Sequence, residues 1–142
     1  MLFAGSNRDE LRRRYYAAWQ RRREGLPLEA LDAAIADVIA MHPEYHTLFE
    51  TPDALQDAFS VEQGRTNPFL HMGLHLGLRE QLATKRPPGI DVIHARLAGK
   101  RASVHDAEHA MIEVLATVLW EAQRAGRAPD EQDYLARLQR LL

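Results

Sequence analysis

The sequence contains no cysteine among its 142 residues. Disulfides, thiolate metal sites, iron–sulfur ligation and cysteine nucleophiles are therefore excluded. An excess of charge of one sign is also lacking, because 18 basic and 20 acidic residues leave a formal net charge of −2. No overall electrostatic field attracts this chain to nucleic acid or to an anionic membrane.

Long apolar runs are missing as well. No stretch approaches about 18 uninterrupted apolar residues, the length needed for a membrane-spanning helix. Residues 1–6 lack the basic start followed by an apolar run that is typical of a signal peptide. We therefore expect a cytoplasmic protein with no membrane partner.

The hydrophobic pattern is helical along the whole chain. Apolar residues recur at spacings of three and four, and 46% of the residues are hydrophobic, an ordinary proportion for a globular domain. No segment alternates convincingly like a strand, and no internal repeat is evident. We predict an all-α fold, with residues 1–142 forming one compact domain of about five to seven helices. The pattern does not indicate an oligomeric state.

Capping and breaking residues predict where the helices begin and end. Pro43 should break the second helix directly after His42, because proline has no N–H to donate. Gly73 and Gly77 lie inside the third main helix, where each costs about 1 kcal/mol relative to alanine, so we expect a neighbouring backbone to approach closely there. The predicted helix starts are Ser6, Pro27, Thr51, Asn67, Ile90, Ser103 and Asp130, and the predicted ends include Gly25, Phe59, Gly99 and Gly126.

Six of the seven histidines form three pairs, and the two members of each pair are four positions apart. A random placement of seven histidines would give only about 0.3 such pairs in a chain of this length. Residues four apart share one face of a helix, and the paired histidines continue apolar stripes that should be buried. The pairs are His42/His46, His71/His75 and His105/His109.

Paired histidines on apolar helix faces favour a metal site. Neutral imidazole binds zinc, iron, copper and nickel, and helical bundles build such sites from inward side chains of facing helices. We expect His71, His75, His105 and His109 to converge between helices 67–84 and 103–125, with the segment 42–46 closing one side. Zinc or iron is the expected cofactor. A metal-free polar core and a non-covalently bound haem with two axial histidines are the alternatives.

The segment from His105 to His109 matches His-x-x-Glu-His, an inverted zinc-protease motif in which the glutamate is the general base. Five residues are a weak signal, and 142 residues leave little room for a peptide cleft. The sequence therefore favours milder zinc hydrolysis over proteolysis, with Glu108 as the base and a small molecule as an optional ligand. An oxygen or metal sensor fits the same site.

The first helix is rich in arginine, and aromatic residues lie between the arginines. On a helical wheel the arginines spread over most of the circumference, which is typical of a solvated surface over core aromatics rather than a nucleic-acid interface. We expect Tyr15 and Trp19 to be buried, the arginines to be mostly exposed, and nucleic acid not to be a partner. Besides Arg8 near the start of the helix, these arginines are Arg12, Arg13, Arg14, Arg21, Arg22 and Arg23.

Four stretches together resemble a proteobacterial family known as domain of unknown function 1841. The resemblance extends over nearly the whole chain, from the arginine-rich first helix to the segment Trp120 to Arg124, and it implies a small bacterial protein without an established activity. The main alternative function is a metal-free helical interaction module with a structural histidine core. The four stretches begin at His42 (HPEYH), Asn67 (NPFLHMGLH), Arg86 (RPPGI) and His105 (HDAEH).

Overall fold

The structure is a computed structural model that describes residues 8–50 and 67–142. Within these ranges it contains six α-helices, one 3-10 helix and no strand, which confirms the predicted all-α class. None of these helices is long and apolar enough to cross a membrane. The elements are α1 (Arg8–Arg23), α2 (Ala30–Ala40), the 3-10 helix Pro43–Phe49, α3 (Pro68–Thr84), α4 (Ile90–Lys100), α5 (Val104–Ala125) and α6 (Glu131–Gln139).

Three predicted N-caps are confirmed by their hydrogen bonds. The side chains of Asn67, Ser103 and Asp130 accept hydrogen bonds of 2.9 to 3.3 Å from backbone N–H groups in the first turns of α3, α5 and α6. These bonds satisfy donors that a helix start leaves without a partner inside the helix. Gly126 ends α5 in the left-handed conformation, with φ of 66°. The predicted starts at Ser6 and Thr51 and the end at Phe59 lie outside the described residues.

The chain divides into two compact units, residues 1–76 and 77–142, and the division lies within α3. In the first unit, α1, α2, the 3-10 helix and the beginning of α3 share one apolar core. Phe69 meets Tyr15 and Phe49 edge to face, with ring centroids 5.6 and 6.0 Å apart. The buried core residues are Tyr15, Ala18, Ile35, Val38, Ile39, Phe49, Phe69, Met72 and Leu76.

The arginines of α1 mostly serve contacts within the first unit. Arg14 pairs with Asp32 at 2.8 Å, and Arg22 pairs with Asp37, so both link α1 to α2 at the surface. Arg12 differs from the prediction, because it is buried and its guanidinium lies 4.7 Å from the centre of the Phe69 ring. A cation placed over an aromatic face is attracted to the ring, which explains how the core accepts this residue.

The second unit contains α4, α5, α6 and the end of α3. Tyr134 is buried, and its hydroxyl donates a 2.8 Å hydrogen bond to Gln81, while burial raises the pKa of Tyr134 above its ordinary value. The apolar residues buried here are Leu78, Ile90, Ile93, Leu97, Ala107, Met111, Ile112, Leu115, Val118, Ala122, Tyr134 and Leu138.

From His105 onward, helical periodicity predicts an inward face of α5 through His109, Ile112, Ala116, Leu119 and Trp120, and this prediction is wrong in its second half. Leu119 and Trp120 were expected inside, but they are 42% and 57% exposed. The buried stripe instead passes through Ala107, Met111, Leu115, Val118 and Ala122, at spacings of four, four, three and four. This stripe has the same period as the predicted one but begins two residues after His105, so the two stripes lie on different faces.

The expected close approach at Gly77 is also wrong. A Cβ atom added to Gly77 would have no atom within 4 Å, apart from its chain neighbours and the backbone of its own helix. The cost of about 1 kcal/mol for glycine in a helix is therefore not offset by packing at this position.

Candidate metal centre

The candidate site begins where Pro43 ends helix α2. His42 follows the buried stripe of this helix, which ends with Val38 and Ile39, and adopts a non-helical conformation, with φ of −124° and ψ of 71°. Because proline has no N–H, the carbonyl of Ile39 lacks its ordinary helical partner. The backbone N–H of His42 donates to that carbonyl instead, at 3.0 Å. The predicted break after His42 is thus confirmed.

His42 is held by the carbonyl that this break leaves available. Its Nδ1 lies 2.7 Å from the carbonyl oxygen of Val38, and only a protonated Nδ1 donates to a carbonyl. A neutral His42 ring therefore carries its proton on Nδ1 and presents a lone pair on Nε2. The residue is 1% exposed, so this lone pair is directed into the interior.

Two histidines of α3 meet the Nε2 atom of His42. The Nε2 atom of His75 lies 3.1 Å from the Nε2 atom of His42 and 3.1 Å from the Nε2 atom of His71. His75 is fully buried and His71 is half-buried. The spacing of four puts both rings on one side of α3, beside the core stripe formed by Phe69, Met72 and Leu76. We call His42, His71 and His75 the histidine trio.

Tyr45 borders the histidine trio on one side. Its ring is nearly parallel to that of His42, with an interplanar angle of 10° and centroids 5.4 Å apart. The same ring meets His71 edge to face, with centroids 6.3 Å apart. Burial, and secondly the carboxylate of Glu44, raises the pKa of the Tyr45 hydroxyl above its ordinary value. Sequence reasoning missed Tyr45 as a site residue.

His46 does not join the histidine trio. Its Nε2 donates to the Ile39 carbonyl at 2.8 Å, and its ring packs on Trp19 with centroids 4.7 Å apart. The reason is the 3-10 geometry after Pro43, with three residues per turn. Four residues in such a helix rotate a side chain by about a third of a turn past its starting direction, so His46 and His42 diverge.

The third histidine pair lies on α5, in the second unit. His105 and His109 pack together with ring centroids 4.1 Å apart. His109 also lines an open groove with Lys100, Arg101, Asp106 and Glu113. The convergence of His105 and His109 with His71 and His75 stays a prediction.

Glu108, the residue predicted as a general base, forms a buried ion pair. Its carboxylate accepts a 3.0 Å hydrogen bond from Nε of Arg79 in the same unit, and its side chain is 5% exposed. A buried carboxylate requires such a partner, so the ion pair alone explains why an acidic residue lies on the buried stripe of α5. A catalytic role for Glu108 stays a prediction.

Fold and site define a helical protein with a buried cluster of imidazoles. The chain belongs to the family described as Domain of unknown function (DUF1841), whose model matches residues 7–140. The resemblance derived from the four sequence stretches is thereby confirmed over nearly the whole chain. No curated protein and no solved structure matches this chain.

Proposed function

We propose that the protein binds a divalent transition metal, zinc first and iron second, through the Nε2 atoms of His42, His71 and His75. The observation that supports this proposal most directly is the pair of 3.1 Å contacts that meet at the Nε2 atom of His75. The same three residues offer ligand nitrogens that all lie within 4.8 Å of one another.

The available protons do not satisfy both contacts when the three rings are neutral. His42 presents a lone pair on Nε2, because its proton is used on the Val38 carbonyl. A protonated Nε2 on His75 has a single proton for its two neighbours, so a full hydrogen bond to His42 leaves none for His71. An unprotonated Nε2 on His75 can accept from His71, but it then faces the lone pair of His42. A cation attracts all three lone pairs at once.

The spacing of the nitrogens also suits one ion. Zinc binds imidazole nitrogen at about 2.0–2.1 Å, and two such bonds at a tetrahedral angle separate their nitrogens by about 3.4 Å. The observed 3.1 Å separations differ from that value by only a few tenths of an ångström. Two of the three nitrogen separations therefore approach those of ligands on one tetrahedral ion, and the third, between His42 and His71, is within 4.8 Å.

The contact between His42 and Val38 is of the kind found around bound metals. A ligating histidine usually donates its second ring N–H to a carbonyl or carboxylate, which fixes the tautomer and the ring orientation. In His42 the Nδ1–H donates to a helix-terminal carbonyl at 2.7 Å, and Nε2 is left to bind. This ring needs no change of tautomer to become a ligand.

Three neutral imidazoles suit zinc because zinc accepts nitrogen ligands in a tetrahedral arrangement. Three protein ligands leave a fourth position for water, substrate or a further side chain, as in catalytic zinc sites. We propose a histidine of α5, His109 or His105, as the further ligand. His46 is not proposed, because its Nε2 atom already donates to the Ile39 carbonyl. A metal-dependent enzyme and a metal sensor both require this open position.

The metal-free alternative shares one group of His75 between both 3.1 Å contacts. Either its Nε2 proton is divided between His42 and His71, or its single Nε2 lone pair accepts from both, which makes His42 an imidazolium that donates from both ring nitrogens. A positive charge on a residue that is 1% exposed is costly unless it is compensated. Such a cluster would serve an interaction module as a polar core.

Metal analysis of untagged protein tests the proposal, because a histidine tag would bind metal itself. We expect about one zinc or iron per chain after purification, or after titration with zinc or cobalt. His75→Ala and His42→Ala should reduce the bound metal strongly, whereas His46→Ala is the matched control and should retain it. Circular dichroism establishes that each variant is folded. A wild-type protein that binds neither zinc, iron nor cobalt would refute the proposal.

A further inference from the structure

The geometry points to Tyr45 as a positioning residue of the proposed metal site, a role in which its ring fixes the orientation of His42 and His71 for coordination. This inference rests on the proposed metal function and adds a residue that contacts the ligands without being one. It follows from the contacts that a single aromatic ring makes with two of the three histidines.

The local fold explains why Tyr45 lies against His42. The segment after Pro43 is a 3-10 helix, and the backbone N–H of Tyr45 donates to the His42 carbonyl at 2.9 Å, three residues back. Side chains three residues apart are aligned in a 3-10 helix. An α-helical continuation would have aligned His46 with His42 instead. Pro43 therefore gives Tyr45 the position that the spacing of four assigned to a second histidine.

The hydrogen bond to the Val38 carbonyl fixes one corner of the His42 ring, at Nδ1. The tilt of the ring about that contact depends on the side chains packed against it. Tyr45 covers one face of the ring at an interplanar angle of 10°, in an offset stack. The face-to-face contact and the hydrogen bond together limit both the position and the tilt of the ring.

The same tyrosine also meets the ligand that is least enclosed. His42 and His75 are buried, whereas His71 is half-buried and so has more freedom to turn toward solvent. The edge-to-face contact between Tyr45 and His71 has centroids 6.3 Å apart, within the favourable range for aromatic pairs. Tyr45 thus lies beside the two histidines that flank His75, and it sets their separation.

The role assigned here requires the ring and not the hydroxyl. Tyr45→Phe should therefore bind metal like the wild type, within about threefold, since the stack is retained. Tyr45→Ala and Tyr45→Leu should weaken binding by about tenfold or more, the range found when partners that orient metal ligands are removed. Tyr45→Leu fills most of the same volume, so it separates loss of the flat ring from loss of packing.

The test is cobalt titration followed by its visible absorption spectrum, with competition against a chelator to obtain the affinity. The spectrum reports ligand geometry, which a simple loss of stability would not change. Tyr16→Ala is the matched control, because Tyr16 also packs against the core of the first unit but belongs to α1. All titrations are made at a temperature where circular dichroism shows folded protein.

The expected result is a weaker and spectrally altered cobalt complex in Tyr45→Ala and Tyr45→Leu, with wild-type behaviour in Tyr45→Phe and Tyr16→Ala. Wild-type affinity and spectrum in Tyr45→Leu would overturn the positioning role while leaving the proposed metal function intact. Weak binding by Tyr45→Phe would also overturn it, because the hydroxyl would then be the essential group. A wild-type protein that binds neither zinc, iron nor cobalt would refute the metal function and this inference together.

Discussion

The Nε2 atoms of His42 and His75 lie 3.1 Å apart, although the two residues are 33 positions apart in the sequence. The contact joins the break after α2 to the middle of α3. Water cannot hydrogen-bond to these ring nitrogens, because both residues are buried. The stability of the first unit therefore depends on whether a proton or a metal ion lies between these two nitrogens.

His42, directly before the 3-10 helix, and His46, within it, should carry their protons on different ring nitrogens. His42 donates from Nδ1 to the Val38 carbonyl, and His46 donates from Nε2 to the Ile39 carbonyl. Long-range nitrogen-15 correlation spectra of ring-labelled protein distinguish these two forms. We expect Nδ1–H for His42 and Nε2–H for His46, in the metal-loaded protein as well. A bare Nδ1 on His42 would contradict the proposed ligand arrangement.

Local sequence signals predicted most of the helix ends correctly. Asn67, Ser103 and Asp130 cap helices because their short side chains accept bonds from free N–H groups of the same turn, which requires no knowledge of the rest of the fold. The break at Pro43 is equally local. The face of α5 was less predictable, since Trp120 and Ala107 compete for burial and only tertiary packing decides between them.

The contacts within the histidine trio were only partly predictable. The spacing of four correctly indicated that the rings of His71 and His75 lie together, because α3 is a regular α-helix. The same spacing was misleading for His42 and His46, because the segment between them is a 3-10 helix. A proline directly after His42 indicates a break and a tighter turn, in which the side chain three positions after His42 lies beside it. That residue is Tyr45.

The ion pair between Arg79 and Glu108 should contribute to the stability of the second unit. Arg79→Met leaves a buried carboxylate without its cation and should lower the free energy of unfolding by about 3 kcal/mol. Glu108→Gln should cost less, because the amide oxygen still accepts a hydrogen bond and the charge on Arg79 is partly solvated, its side chain being 27% exposed. Urea denaturation at neutral pH measures both values.

The double variant Arg79→Met with Glu108→Met provides the control for that measurement. Replacing both members of a buried pair by apolar residues is often nearly neutral. We therefore expect the double variant to be more stable than Arg79→Met alone. Glu108→Met alone completes the cycle. If the costs of Arg79→Met and Glu108→Met simply add in the double variant, the pair is not energetically coupled.

Two glycines of the second unit should respond to alanine in opposite directions. Gly99 lies inside α4 with no atom within 4 Å of an added Cβ, so Gly99→Ala should stabilise the protein by up to about 1 kcal/mol. Gly126 has equal space but a φ of 66°, so Gly126→Ala should destabilise it by about 1 kcal/mol. Chemical denaturation of the two variants in parallel checks the signs, and equal signs would be the contrary result.

Tyr134 should make the stability of the protein sensitive to alkaline pH. Burial raises the pKa of its hydroxyl in the folded state above the unfolded value, which is about 10. The unfolded chain then loses its proton first, so stability is complete below about pH 10 and decreases as the pH rises further. Tyr134→Phe should be about 1 kcal/mol less stable at neutral pH, through loss of the bond to Gln81.

The same Tyr134→Phe variant should show a shallower loss of stability between about pH 10 and 12 than the wild type, because phenylalanine does not titrate. Guanidinium denaturation at several pH values provides the comparison. Parallel pH curves for wild type and variant would mean that Tyr134 does not cause the alkaline sensitivity.

Removal of bound metal should lower the thermal stability of the protein. A ligand that binds only the folded state stabilises it by RT ln(1 + [L]/Kd), which is about 4 kcal/mol at a thousandfold excess over Kd. Since about 1 kcal/mol shifts the melting temperature by roughly 2–8 °C in domains of this size range, a chelator should lower it by several degrees at least. His75→Ala should melt lower than the wild type and should respond little to the chelator, because it lacks the nitrogen on which both 3.1 Å contacts converge.

His109→Ala tests in the same way whether a histidine of α5 completes the ligand set. His94→Ala is the internal control, because it has no histidine four residues away and should keep the full chelator response. If metal-supplemented, untagged wild type melts at the same temperature with and without the chelator, the histidine trio is a metal-free polar core, and the histidine variants are then destabilised for that reason alone.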